Sequence, residues 1–225
     1  MKTNSTKKIQ KRYNRISFLF DLLEKPMEGF SADWRQEITA EVAGKVLEVG
    51  VGTGRNIPLY PPDVEVVAID FSPKMLKKAV AKYADTHRNV IFLEMDAQQM
   101  GFADNTFDSV LTSCVFCSVP FPVAGLKEIR RVCKPGGKIV MLEHVRSQHR
   151  LLGPFMDIVN PVPLFLYGAN INRDTIGNLR RAGFKHIEVK DLWLDIFKKI
   201  VIINDKPEKP AAEKMLQEKH SGGLL

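Results

Sequence analysis

With 225 residues and 44% hydrophobic side chains, the chain has material for one domain with a full core, which excludes a disordered protein. No apolar run reaches the roughly 18 residues of a membrane-spanning helix, and the polar, basic first residues lack the apolar stretch of a signal peptide. The net charge of +7 gathers at the start, where Lys2, Lys7, Lys8, Lys11, Arg12 and Arg15 stand among residues 1–20 without an acid. That basic end points to an acidic partner, membrane lipid ahead of nucleic acid. Cys114, Cys117 and Cys133 make no disulfide framework, so the expected compartment is the cytoplasm, with peripheral contact at a membrane.

In chain order, Ile9, Tyr13, Ile16, Phe20 and Leu23 fall on one helical face, which predicts a helix over 6–24 that Pro26 ends. A second helix is predicted over 31–42 with Ser31 as N-cap. Residues 45–49 form a short apolar strand that runs into glycines, with a helix expected after them. Strands follow at 65–69, 90–94, 107–113 and 138–144, with helices at 73–84 and 123–133. The alternation implies an α/β fold with a parallel sheet covered by helices on both faces. The stretch 146–172 is too long and too apolar for a simple connection and reads as an active-site cap. A helix over 173–182, stopped by Gly183, and strands at 186–191 and 197–203 complete the domain, and 205–225 reads as a charged tail. The expected organisation is therefore an N-terminal basic helical segment (1–39), a domain at 40–204 with its cap, and the tail.

The run Val46-Leu47-Glu48-Val49-Gly50-Val51-Gly52-Thr53-Gly54 carries the chemistry. Glycines after a strand allow a tight turn and a close approach of backbone N–H groups to a ligand. A dinucleotide fingerprint starting at Gly50 would need glycine at position 55, where Arg55 stands. Glu48 would repel a pyrophosphate by about 4 kcal/mol per charge pair at about 4 Å and an effective dielectric of about 20. The ammonium and sulfonium of S-adenosylmethionine (SAM) tolerate such an acid. Asp70 ends the second strand, where a carboxylate can accept from both ribose hydroxyls of either cofactor. Cys114 and Cys117 form C-x-x-C, but there is no second pair and the histidines show no metal spacing, so no metal is expected.

These residues, with Asp70-Phe71-Ser72-Pro73-Lys74-Met75-Leu76, Asp96-Ala97 and Arg130-Arg131-Val132-Cys133-Lys134-Pro135-Gly136-Gly137, resemble the class I SAM-dependent methyltransferases over about residues 40–203. The nearest groups are the ubiquinone/menaquinone C-methyltransferases, phosphatidylethanolamine N-methyltransferases and membrane-associated thiol S-methyltransferases. The resemblance implies a Rossmann-like seven-stranded, mostly parallel sheet with the last strand antiparallel. It also implies that Glu48, Gly50, Gly52 and Gly54 line the methionine half of SAM, and that Asp70, followed by Phe71, holds the ribose. Met75 would pack on the adenine, Asp96 and Ala97 would contact its edge, and Cys114 would sit beside the transferring methyl group.

Glu143-His144 ends the fifth strand on the ligand-binding edge of such a sheet, which makes His144 the candidate base or acceptor-orienting group. The segment from Asn170 to Thr175 is similar to one in the thiol methyltransferases; Asn172 or Asp174 is expected to cap a helix there, and Arg173 to reach an anionic acceptor. The apolar cap and basic N-terminal helix suggest a small hydrophobic or lipid acceptor, the helix touching anionic membrane or closing over SAM with Tyr13 near the cofactor carboxylate. A non-catalytic SAM-binding protein would show the same cofactor motifs. A nucleic-acid enzyme is disfavoured, since no basic stretch interleaved with aromatic residues is present.

Overall fold

The computed structural model describes residues 4–166 and 168–207, so the expected tail lies almost wholly outside the described residues. Seven strands form one sheet: β1 (Lys45–Val49), β2 (Glu65–Asp70), β3 (Val90–Glu94), β4 (Phe107–Ser113), β5 (Cys133–His144), β6 (Ile187–Trp193) and β7 (Phe197–Ile203). Their spatial order is β3-β2-β1-β4-β5-β7-β6, with β7 antiparallel to both neighbours and the other adjacent pairs parallel. The expected seven-stranded, mostly parallel sheet with its last strand antiparallel is what the chain builds.

Alternation along each central strand feeds two cores, because both faces are covered. Leu47, Val49 and Ile69 join Phe107, Leu126, Ile129, Ile139 and Met141 on one face, which α3 (Pro122–Val132) and α6 (Thr175–Arg181) cover. Val46, Ala68, Leu111, Val140 and Leu142 meet Ile38 of α1 (Asn4–Thr39) and Val42 just after it on the other, where Leu76 and Tyr83 of α2 (Pro73–Tyr83) also pack. α2 starts on Ser72, whose hydroxyl accepts from the Met75 N–H at 3.3 Å, with proline in the first turn.

Three expectations are corrected. α1 is one helix from Asn4 to Thr39 rather than two: Pro26 lies within it and Ser31 is not its cap. A proline removes one ladder hydrogen bond, but the long helical stretches on both sides retain theirs, so it is a weaker stop signal than its use here assumed. The side chains of residues 16–30, Ile16, Phe20 and Leu23 included, lie outside what is described. After the glycines the chain makes turns and a 3-10 segment, Ile57–Leu59, because Pro58, Pro61 and Pro62 deny an α-helix its donors. β5 begins at Cys133, earlier than expected, and carries Gly136-Gly137 inside it.

The stretch 146–172 folds as two short helices, α4 (Leu152–Val159) and α5 (Pro161–Leu166). The direction of strand succession reverses between β1 and β4, the switch point beside which ligands bind at strand C-termini.

Candidate active site

A cavity opens at that switch point. Of the residues singled out in the sequence, Tyr13, Glu48, Gly50, Gly52, Asp70, Phe71, Met75, Asp96, Ala97 and Cys114 line it, while Gly54 and His144 do not. Each strand end delivers its share: the glycine turn from β1, Asp70 and Phe71 from β2, Asp96 and Ala97 after β3, Cys114 after β4.

The glycines divide their work. Gly50, Gly52 and Gly54 all have positive φ, at 74°, 57° and 87°. A Cβ on Gly52 would meet nothing within 4 Å, so its face stays open to the cavity. A Cβ on Gly54 would lie 2.8 Å from the Tyr83 ring and 3.3 Å from Ala79, so Gly54 lets α2 pack close rather than lining the ligand space. Gly50 makes room for Val115, 2.5 Å from its hypothetical Cβ. The Gly52 N–H donates to Asp70 Oδ2 at 2.9 Å, and the Ser72 N–H to Asp70 Oδ1 at 2.8 Å, which fixes the Asp70 carboxylate between the turn and α2. Asp96 is fixed in the same way, its Oδ1 accepting from the N–H and Nε2 of Gln98, each at 2.9 Å.

Glu48 is 1% exposed, and its oxygens accept from Asn56 Nδ2 at 2.9 Å and Tyr60 Oη at 3.0 Å. Burial raises its pKa to about 7, against the lowering effects of those two donors and of Arg35. Arg35, from the C-terminal half of α1, was missed in the sequence. Its Nη1 donates to Asn56 Oδ1 and Ser113 Oγ, both at 2.9 Å, and its Nε is buried without a partner. A buried carboxylate beside a guanidinium with an unused N–H matches the ammonium and carboxylate of an amino-acid moiety. The available signal was an arginine on the same helical face as Ile38, Thr39 and Val42.

α1 roofs the cavity. Gln98 Nε2 donates to Thr6 Oγ1 at 3.0 Å, Ser72 Oγ to Asn14 Oδ1 at 2.7 Å, and Gln10 Nε2 to the Phe71 carbonyl. Tyr13 packs edge-on to Phe71 with ring centroids 5.6 Å apart. Tyr13 therefore stands beside Phe71, next to Asp70 in the chain, and Arg35 is the cation at the Glu48 end of the cavity.

The loop after β4 is gripped from two sides. Glu143, fully buried, accepts from Thr112 Oγ1 at 2.9 Å and from the Val115 and Phe116 N–H groups at 3.3 and 3.2 Å. Burial pushes its pKa up to about 7, opposed by those hydrogen bonds and by Arg173. Arg173 donates to the carbonyls of Phe116, Cys117 and Val119 at 3.0, 3.2 and 3.1 Å, so it is committed to this loop and not to an anionic acceptor. Between the grips Cys114 adopts φ 55°, unusual for a residue with a Cβ. Asp174 caps α6 as expected, accepting from the Gly177 N–H at 2.9 Å.

Beside Cys114 lies a packed apolar cluster. Met156, Ile196 and Phe197 form its buried centre, with Trp34, Cys114, Leu152, Ile171 and Leu192 packed around them. His144 belongs to this side, its ring edge-on to Phe197 at 5.0 Å. Burial holds its pKa below the ordinary value, against a hydrogen bond with the Ile171 backbone, and its Nδ1 is buried without a partner.

Comparison with known proteins agrees with this geometry. Residues 47–141 match the family described as "Methyltransferase domain". The chain is 42% identical over 103 residues to a phosphatidylethanolamine N-methyltransferase of Cereibacter sphaeroides, covering 45% of this chain and 51% of that protein. It is 32% identical over 154 residues to a thiol S-methyltransferase of Homo sapiens, covering 65% and 62%. It is 30% identical over 174 residues to a ubiquinone/menaquinone biosynthesis C-methyltransferase of Desulfotalea psychrophila, covering 74% and 70%. The chain thus spans about half the length of the first relative and less than two thirds of the second. A SAM-dependent methyltransferase from Thermotoga maritima shares the fold, with a TM-score of 0.68 at 21% identity over 86% of this chain and 99% of that one. With the strand order, the open glycine turn and these relatives together, the chain belongs to the SAM-dependent methyltransferases, and SAM is its cofactor.

Proposed function

We propose that the chain transfers the methyl group of SAM to a small hydrophobic or lipid-like acceptor, with a phospholipid head-group nitrogen as the first candidate. A quinone ring carbon and a thiol sulfur are the alternatives, named for the activities of the relatives. The observation that carries the reading is that Cys114 lines the cofactor cavity and also packs against the apolar cluster under α4, so the cavity adjoins an apolar region at that residue.

SAM supplies, when bound, a methyl group on a sulfonium that leaves without acid assistance. The work left to the protein is alignment. In this reading Glu48 and Arg35 hold the amino-acid end, Gly50 and Gly52 give it room, and Asp70 with Phe71 holds the ribose. Met75, Asp96 and Ala97 take the adenine, and Cys114 flanks the methyl group. Tyr13 closes the roof. His144, neutral at pH 7 and with an unused Nδ1, orients the acceptor or takes the proton that a methylated nitrogen or carbon must lose.

The test is incubation of the full chain with methyl-labelled SAM and, separately, phosphatidylethanolamine, a demethylated quinone and an alkyl thiol. Label in the phospholipid head group is the expected outcome. Label confined to the quinone or the thiol selects that alternative, and label in none, with SAM bound, replaces catalysis by a binding role.

A further inference from the structure

The two cap helices are inside out. Leu151, Phe155, Ile158, Val162 and Phe165 recur at helical spacing along α4–α5, and they are 73, 58, 77, 61 and 68% exposed. An amphipathic helix ordinarily turns such a stripe to the core. Here Gly153 and Met156 face inward. The single charged residue of the two helices, Asp157, is paired with Arg146 at 2.8 Å. The exposed stripe continues onto the β6–β7 turn, where Leu194 shares a shallow groove with Leu151 and Phe155.

Cations border the stripe. Arg12 Nη1 donates to the Leu164 carbonyl at 2.6 Å, which seats α1 along α5. Lys8 and Arg15, one helical turn before and after Arg12, are exposed, as is Lys11. At the other end exposed Arg150 precedes Leu151.

We propose that the outer face of α4–α5, flanked by the basic stripe of α1, is a docking surface for an anionic lipid bilayer. Apolar side chains at acyl depth with lysines and arginines at phosphate level is the arrangement by which a helix lies in a membrane interface. This moves the membrane contact from the N-terminal helix alone to the cap, with the helix as its charged margin. It rests on the lipid-acceptor reading in one respect: Met156 and Leu152 of the same helix pack in the apolar cluster that Cys114 joins to the cofactor cavity, so in that reading an acceptor approaches from the bilayer the outer face touches.

The experiment is sedimentation of the full chain with vesicles of phosphatidylcholine alone or with one third phosphatidylglycerol. The expected result is binding to the anionic vesicles that falls about tenfold or more in the triple variant Phe155→Ser, Ile158→Ser, Phe165→Ser, with SAM affinity unchanged. The double variant Lys8→Glu, Lys11→Glu is expected to lose the preference for anionic vesicles and keep its fold. Vesicle binding by the triple variant equal to that of the unaltered chain overturns the proposal. So does a wild-type dimer in light scattering that the triple variant dissolves while neither binds vesicles, which makes the occupant a second copy. Methylation of lipid in detergent micelles without vesicle binding sinks the surface alone. Vesicle binding with no lipid methylated in micelles sinks the acceptor reading alone.

Discussion

Two glycines of one turn, Gly52 and Gly54, are predicted to fail in opposite ways when replaced by alanine. Both have positive φ, so Gly52→Ala and Gly54→Ala share a backbone penalty of about 1–2 kcal/mol. They differ in what the new methyl meets. At Gly54 it lies 2.8 Å from the ring of Tyr83 at the end of α2, which must move away from the turn, an overpacking cost of about 1–3 kcal/mol in addition. At Gly52 it meets nothing of the protein and projects into open space at the cavity, where the proposed function seats SAM. Gly54→Ala is therefore expected to lower the unfolding free energy of the cofactor-free protein by about 2–5 kcal/mol in total. Gly52→Ala is expected to lose only the shared part and to weaken SAM by about tenfold or more. Urea unfolding followed by circular dichroism gives the first quantity and titration calorimetry the second. The reasoning fails if Gly52→Ala is the less stable of the two, or if it binds SAM within about twofold of the unaltered chain.

Arg173→Gln removes a half-buried cation from three backbone carbonyls and is expected to cost about 2–3 kcal/mol in urea unfolding and to lower kcat more than SAM affinity. A loss under about 1 kcal/mol would show that the loop holds without it. The pKa of Glu143 rises from 4.5 to about 7 on folding, so its contribution to stability is fully present below pH 4.5 and is lost as pH rises through 7. Glu143→Gln should accordingly gain about 3 kcal/mol relative to the unaltered chain between about pH 5 and pH 8; an equal difference at both pH values contradicts the buried carboxyl. Glu48, also raised to about 7, adds a loss of the same sign over the same window. His144→Gln is expected to lower turnover and spare SAM affinity, and equal loss of both in a calorimetric and kinetic comparison excludes the acceptor-side role.

The sheet was legible because its strands are short apolar runs between turn residues. Residues 90–94, 107–113 and 197–203 begin and end in the structure where the pattern says they do. The acids that line the cavity were legible for a related reason, since Asp70 and Asp96 stand at or just past strand ends. What stayed hidden is whatever depends on partners far apart in the chain. Nothing near Glu143 in sequence announces that Thr112 and the Phe116 N–H will share it, and nothing near Arg173 announces the carbonyls 54 to 57 residues earlier. Arg35 was hidden by its own helix, whose start was misplaced at Ser31 because Pro26 was read as a stop. The basic N-terminus was legible as a charge, but not that Thr6, Gln10 and Asn14 on its inner face pack on the cavity wall.

The make-up of the apolar cluster beside Cys114 has a consequence for how such enzymes diversify. Trp34 comes from α1, Leu152 and Met156 from the cap, Ile171 from the segment after it, and Leu192, Ile196 and Phe197 from the β6–β7 hairpin. Of these cluster residues only Cys114, just after β4, also lines the cavity. Substitutions in the cluster can therefore accumulate while the glycine turn and its acids stay as they are. One scaffold can change the atom it methylates through its appended parts, and the relatives named for nitrogen, sulfur and carbon acceptors are the divergence such a division of labour permits.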